Sequence, residues 1–184
     1  MNIYVDATTL IALGEVGDLD LLPLLDGDLR IHRPVADEVT TEPSKSNLQR
    51  FCDRHRLSLV SVGGNLLQEA KDAKEEAQRI LDEDEGNGDV AIIKSVLLGD
   101  YKGLESAVIS DDRRPRTVAE GLKARVTGTI GVVVRAVAEG DLTEREAKDL
   151  VRRLDGRGLH TTGELREKAD GLIEEAAQEN GDED

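Results

Sequence analysis

The sequence predicts an α/β fold, a three-layer α/β/α arrangement around a mainly parallel central sheet. Two observations carry this. Short β-forming runs at residues 3–5, 29–31, 57–62, 107–110 and 124–127 alternate with helical segments, and such alternation gives crossover connections and parallel strands. Two of the most apolar runs, Ile3-Tyr4-Val5 and Ala107-Val108-Ile109-Ser110, lead directly into acid, at Asp6 and at Asp111-Asp112. In open α/β sheets ligands bind at the carboxyl ends of the strands, so acids placed there are candidates for function.

The elements follow in order. After the first strand, residues 7–13 form a short apolar helix and Gly14 to Gly17 a turn. Leu19, Leu21, Leu22 and Leu25 mark a second helix with Asp18 at its N-cap and Gly27 beyond its end. Pro34 suits the first turn of a helix that carries Val35, Ala36, Glu38 and Val39; Pro43 and Ser44 break it. Residues 47–56 are helical, 57–62 a strand, and Gly63-Gly64 a turn. Residues 66–81 form a long charged amphipathic helix, and residues 82–88 an acidic, glycine-containing loop. Asp89 opens an apolar helix that Gly99 ends. A helix with Pro115 in its first turn follows the 107–110 strand and stops near Gly121. The last strand, 124–127, leads to an apolar helix over 129–138, capped by Gly140.

Residues 1–140 make up this α/β unit. Residues 141–179 form a helical extension, opened by Thr143 and Glu146 in a capping-box spacing. Leu142, Leu150, Val151 and Leu154 put one of its faces against something. A second helix spans 162–178, and residues 180–184 are an acidic tail. The spacing does not decide whether these helices dock on the core, form a dimer face or receive a partner.

Composition narrows the possibilities. Aromatic residues are 2% of the chain and Trp is absent, so the core is built from Leu, Val, Ile and Ala. The single Cys52 excludes an intramolecular disulfide and a cysteine-based zinc site. No run reaches the roughly 18–20 apolar residues of a membrane span, and the N-terminus enters a strand without an apolar leader; a cytoplasmic protein is expected. Net charge is -15, with eight lysines against sixteen arginines. This acid-rich, Lys-poor balance fits a halophilic, high-salt interior, and also fits a plainly acidic protein. It argues against long-range attraction to nucleic acid. At molar salt the Debye length is about 3 Å, and close contacts with metal bridges then remain open to RNA.

Four places put a carboxylate at a defined structural point: Asp6 at a strand end, Glu38 one turn into a helix, Asp89 at a helix start, and Asp111-Asp112 after a strand. Acids flanked by apolar strands are costly to desolvate, and several together repel unless a cation holds them. Hard oxygen ligands suit Mg²⁺ or Mn²⁺, which assist hydrolysis of phosphodiesters. Each acid also has a plainer reading. Asp6, Asp89 and Asp112 suit helix capping, and Glu38 suits a solvated helix face beside Asp37. Arg113, Arg114 and Arg116 open a helix, where cations are unfavourable; phosphate contact and pairing with the acidic loop at 82–85 both explain them. His32, His55 and His160 are read as structural or surface residues, and Cys52 as a buried small residue.

At Ile3-Tyr4-Val5-Asp6-Ala7-Thr8-Thr9-Leu10-Ile11-Ala12-Leu13, Val35-Ala36-Asp37-Glu38-Val39, Gly86-Asn87-Gly88-Asp89-Val90-Ala91-Ile92 and Val108-Ile109-Ser110-Asp111-Asp112-Arg113 the chain resembles the PIN-domain nucleases. Val126-Thr127-Gly128-Thr129-Ile130-Gly131 is similar to a prokaryotic PIN subfamily. The resemblance implies a divalent-metal-dependent ribonuclease of single-stranded RNA, often the toxin of a toxin–antitoxin pair (VapC-like), with an antitoxin protein as partner, and a homodimer. It implies Asp6, Glu38, Asp89 and Asp112 as ligands of Mg²⁺ or Mn²⁺, with Asp111 as the alternative to Asp112. Thr8 and Ser110 match small hydroxyl positions beside the site. Asp89 stands where the subfamily more often has Glu, one methylene longer. A haloacid-dehalogenase phosphatase would need a second Asp where Thr8 stands, and a receiver domain needs paired acids at another spacing. A PIN-like module that only binds RNA or protein is the alternative to the enzyme.

Overall fold

Four short strands, β1 (Asn2–Val5), β2 (Asp28–Arg30), β3 (Ser106–Ile109) and β4 (Arg125–Thr127), form one parallel sheet in the order β2-β1-β3-β4. The computed structural model describes residues 1–60, 68–157, 159 and 162–181. Helices cover both faces of the sheet, so the fold is of the α/β/α class that the sequence predicts. On one side α1 (Ala7–Val16) packs with α3 (Ser44–His55), α7 (Thr129–Ala138) and α8 (Glu144–Asp155), and α7 packs with α9 (Gly163–Gly181). On the other, α5 (Gly88–Tyr101) packs with α2 (Arg33–Glu38), α4 (Gln68–Leu81) and α6 (Arg113–Gly121).

The two central strands explain themselves. Every residue of β3 is buried, as are Ile3, Tyr4 and Val5 of β1, and β-branched side chains pack well on a pleated, two-sided core. The chain leaves β1 to one side for β2 and returns to the other side for β3. The crevice where strand order reverses therefore lies between the ends of β1 and β3, the usual ligand position in such sheets.

Two elements differ from the sequence expectation. Residues Leu19–Leu24 form a 3₁₀ helix instead of an α-helix. Pro23 lies inside it, and proline lacks the N–H that an α-helical bond would require. Asp18 stands at its N-cap without a capping bond and instead pairs with Arg153 of α8 at 2.9 Å. The strand expected at 57–62 is a single parallel bridge between His32 and Val60; residues 61 and 62, the Gly63-Gly64 turn and the start of the next helix lie outside the described residues, as does His160. The capping box at Thr143 and Glu146 is present as expected, and Gly140 has the positive φ of 78° of a residue that ends a helix.

His32 is structural, buried at the end of β2, stacked on Tyr4 and 2.9 Å from Ser95 Oγ. Burial pulls its pKa down to about 4. His55 is a surface residue that pairs with Asp20 at 2.7 Å. Cys52 is half-buried, short of the full burial expected. No helix among the described residues is long and apolar enough to cross a membrane.

Helices α8 and α9 share the core. Ala147, Leu150, Val151 and Leu154 of α8 and Ala169, Ile173 and Ala176 of α9 belong to the same buried cluster as Val5 and Ile109. Ile173→Ala is therefore expected to lower global stability by about 2–5 kcal/mol, the usual cost of truncating a buried aliphatic side chain. Urea unfolding followed by circular dichroism checks this; a loss confined to a separate, early transition would contradict a shared core.

Candidate active site

The register of the sheet builds the first half of the site. Val5 pairs with Ile109, so one step further Asp6 and Ser110 leave their strands side by side. Asp6 is buried and caps α1: Ala7 N–H donates to its Oδ1 at 2.6 Å. Its other oxygen accepts from Thr8 Oγ at 2.8 Å and from Ser110 Oγ at 2.7 Å. The Ser110 hydroxyl in turn accepts the backbone N–H of Asp112 at 3.1 Å. Three donors fix this carboxylate, which compensates the cost of burying a charge. Thr8 and Ser110 are thus both bonded to Asp6.

The second half forms across the sheet, at the start of α5. Asn87, not Asp89, is the N-cap: its side chain accepts from the N–H groups of Asp89 and Val90. Gly88 N–H donates to Glu38 Oε1 at 2.8 Å. A Cβ at residue 88 would lie 2.8 Å from that oxygen and 2.9 Å from Val35, so only glycine lets α5 approach Glu38 this closely. Glu38 also gains from the positive end of the α5 dipole. Asp89, half-buried in the first turn, is left free of the capping duty.

The Asp111-Asp112 pair divides its work. Asp111 accepts from Thr129 N–H at 3.0 Å and from the Thr129 hydroxyl, tying the end of β3 to the start of α7. Gly128 permits that contact, because a Cβ there would collide with Asp111. Asp112 caps α6 through Arg114 N–H and is one of the acids that act on Asp89. Arg114 pairs with Glu83 and reaches the Leu81 carbonyl, so it serves the acidic loop. Arg116 instead donates to the Ser110 carbonyl at 2.7 Å, at the site itself.

The electrostatics show which acids share a field. Desolvation, then the charges of Asp6, Asp112, Glu38 and Glu83, push the Asp89 carboxyl up to about 7. Asp111 is not among these causes. Among the described residues no three His, Cys, Asp or Glu side chains are drawn together as a ready cation site; Asp6, Glu38 and Asp112 are turned to the local donors named above. The donor chemistry nevertheless fits Mg²⁺ or Mn²⁺: all are hard carboxylate oxygens, each with lone pairs beyond its present bonds, and a cation among them would relieve the repulsion that Asp89 records.

The profile of the family DUF3368, a PIN domain, matches residues 2–175. The chain belongs to the PIN-domain family. No curated protein and no solved structure shows significant similarity to it. PIN domains are generally nucleases and typically use divalent metal ions. In this PIN domain the match runs through α8 and most of α9, the helices that complete the core.

Three residues of the site escape a reading of the sequence. In the sequence Glu83 is one of several loop acids, Asn87 is only a member of the loop and of the stretch at 86–92 that carries the family resemblance, and Thr129 is only a helix start. The signal for Thr129 lay in register: Ile109 pairs with Thr127, which sets Asp111 opposite Thr129.

Asp89 gives the PIN domain a pH-dependent stability. The folded chain holds a proton on Asp89 up to about pH 7, whereas an unfolded Asp releases it near pH 3.9. Between those values the folded state binds the extra proton, and stability falls as pH rises through the window. Asp89→Asn removes the penalty. In EDTA the variant is expected to be more stable than wild type at about pH 8 by on the order of 1–2 kcal/mol, solvent screening included, and by less at about pH 5. Thermal denaturation at both pH values checks this; a difference that does not grow with pH would contradict it.

Proposed function

We propose that this PIN domain is a divalent-metal-dependent endoribonuclease that hydrolyses single-stranded RNA. The observation that supports the reading is geometric: the Val5–Ile109 register sets Asp6 beside Ser110 and Asp112 at the switch point of the sheet, and the Gly88–Glu38 contact ties the start of α5, with Asp89, to the end of α2. Burial and the charges of Asp6, Asp112 and Glu38 raise the Asp89 carboxyl in the same place. Asp6, Glu38, Asp89 and Asp112 would hold Mg²⁺ or Mn²⁺. The ion would supply charge compensation for the phosphodiester and a more acidic water.

The residues of the chain do the rest. Ser110 and Thr8 keep the Asp6 carboxylate in one orientation, so a ligand oxygen is presented without reorganisation. Gly88 N–H does the same for Glu38. Asp89 holds a proton up to about pH 7, which a bound cation would displace. Asp111 acts at one remove, by anchoring α7 beside the site. Arg116, held at the Ser110 carbonyl, retains guanidinium N–H groups for phosphate.

A second reading, a PIN-like module that binds without cutting, draws on the local duties of Asp6, Glu38 and Asp112, each of which also holds backbone or hydroxyl donors. Incubation of a mixed single-stranded RNA pool with Mn²⁺, Mg²⁺ or EDTA over a range of KCl separates the two. Cutting is expected with either metal, none with EDTA, and a loss of about 10²–10³-fold in Asp6→Asn with the helical circular dichroism retained. Cutting that persists in EDTA or in Asp6→Asn would sink the assignment; RNA binding without cutting would support the second reading.

A further inference from the structure

A cleft of about 690 Å³ opens from the acidic site toward α9. Thr8, Asp111, Asp112 and Arg116 line it beside the acidic site, residues 126–128, 130 and 131 line one wall, and α9 lines the other. On α9 the lining residues Leu165, Lys168, Ala169 and Leu172 recur at the spacing of one helical face. Ala169 is fully buried, but Leu165 and Leu172 are each 38% exposed. Among the described residues they are two of the few large apolar side chains that are exposed, and they stand on either side of a cation.

Charge and composition say what this cleft would take. In a chain of net charge -15, Arg116 and Lys168 are the cations that line it. The Lys168 side chain has no ion pair or hydrogen bond among the described residues, as is also true of those of Lys45, Lys71, Lys102 and Lys123, whereas Lys74 and Lys148 are paired; what sets Lys168 apart is its place on the cleft wall. An aromatic platform for a base is not available: Tyr4 and Phe51 are buried, and Tyr101 bonds Glu76 at the far end of α5. Single-strand binders ordinarily stack bases on aromatic rings; here an aliphatic slot flanked by cations is the apolar surface that adjoins the acids. Its volume lies in the range of small-molecule sites.

We propose that the cleft is a nucleotide subsite: the aliphatic walls of Leu165, Leu172 and Ile130 receive one unstacked base of the RNA, and Lys168 with Arg116 receives the adjoining phosphate. The proposal rests on the nuclease reading for its orientation, since the strand enters from the acids. A base must leave its stack to enter such a slot, so the site selects single strands over duplex. It also gives α9 a part in substrate recognition in addition to its part in the core.

The test is fluorescence anisotropy with a short fluorescein-labelled single-stranded RNA of mixed sequence and with its duplex, in Ca²⁺, on the full chain. Lys168 and Leu172 are on the surface, so Lys168→Glu and Leu172→Asp should fold. Each is expected to raise Kd about tenfold or more, with Lys168→Arg close to wild type and a smaller salt dependence in Lys168→Glu. Duplex should bind more weakly than single strand. Undiminished binding in both variants, equal binding of duplex, or no RNA binding by wild type overturns the subsite. Cutting in Mn²⁺ is recorded in parallel. Variant-sensitive binding without cutting leaves the subsite standing and removes the nuclease reading, whereas cutting with unaffected binding in both variants does the reverse.

Discussion

The hydroxyl of Ser110 bridges two strand ends that are 104 residues apart in sequence. It donates to the buried Asp6 carboxylate and accepts the N–H of Asp112. Without it, β1 would end in a buried charge short of a donor, and the turn after β3 would lose its anchor; an unsatisfied buried polar group costs about 1–3 kcal/mol. The rest of the site is placed relative to this bridge. Asp112 begins α6, Asp111 reaches across to α7, and Arg116 folds back onto the Ser110 carbonyl. The bridge itself depends on parallel register, because it exists only when Val5 and Ile109 are partners.

The acids then divide between scaffold and field. Capping and ligation compete for the same lone pairs, and carboxylates have enough of them to do both. Asp111 is committed to Thr129 through both oxygens, which is a structural duty. Asp6, Glu38 and Asp112 each satisfy a helix start and still act on Asp89. Asp89 lacks a cap to fill, because Asn87 fills it. It therefore registers the repulsion of the others.

Much of this was legible in the sequence because it is local. An apolar run followed by an acid marks a buried strand end, and an apolar run after a glycine-containing loop marks the helix that Asp89 opens. Those signals located Asp6, Asp89 and the Asp111-Asp112 pair at the element ends where the structure has them, and Pro34 located the helix that carries Glu38. The division between Asp111 and Asp112 was not legible, since it turns on which residue of β4 stands opposite β3. Glu83 was hidden among the loop acids for the same reason: its effect on Asp89 is made by tertiary packing of α4 against α5. The 3₁₀ helix at Leu19–Leu24 escaped because leucine spacing outweighed the missing N–H of Pro23. The cleft on α9 could not be read at all, because Leu165 and Leu172 look in sequence like any other core-facing pair.

The central claim is the proposal that Asp6, Glu38, Asp89 and Asp112 hold one divalent cation and that Asp111 is not one of its ligands. Calorimetric titration with Mn²⁺ tests this most directly, on wild type, Asp112→Asn and Asp111→Asn, each checked for retained fold by circular dichroism. The account predicts Mn²⁺ uptake by wild type, its loss in Asp112→Asn and its survival in Asp111→Asn. Uptake lost in Asp111→Asn and kept in Asp112→Asn, or no Mn²⁺ binding by wild type, would contradict it.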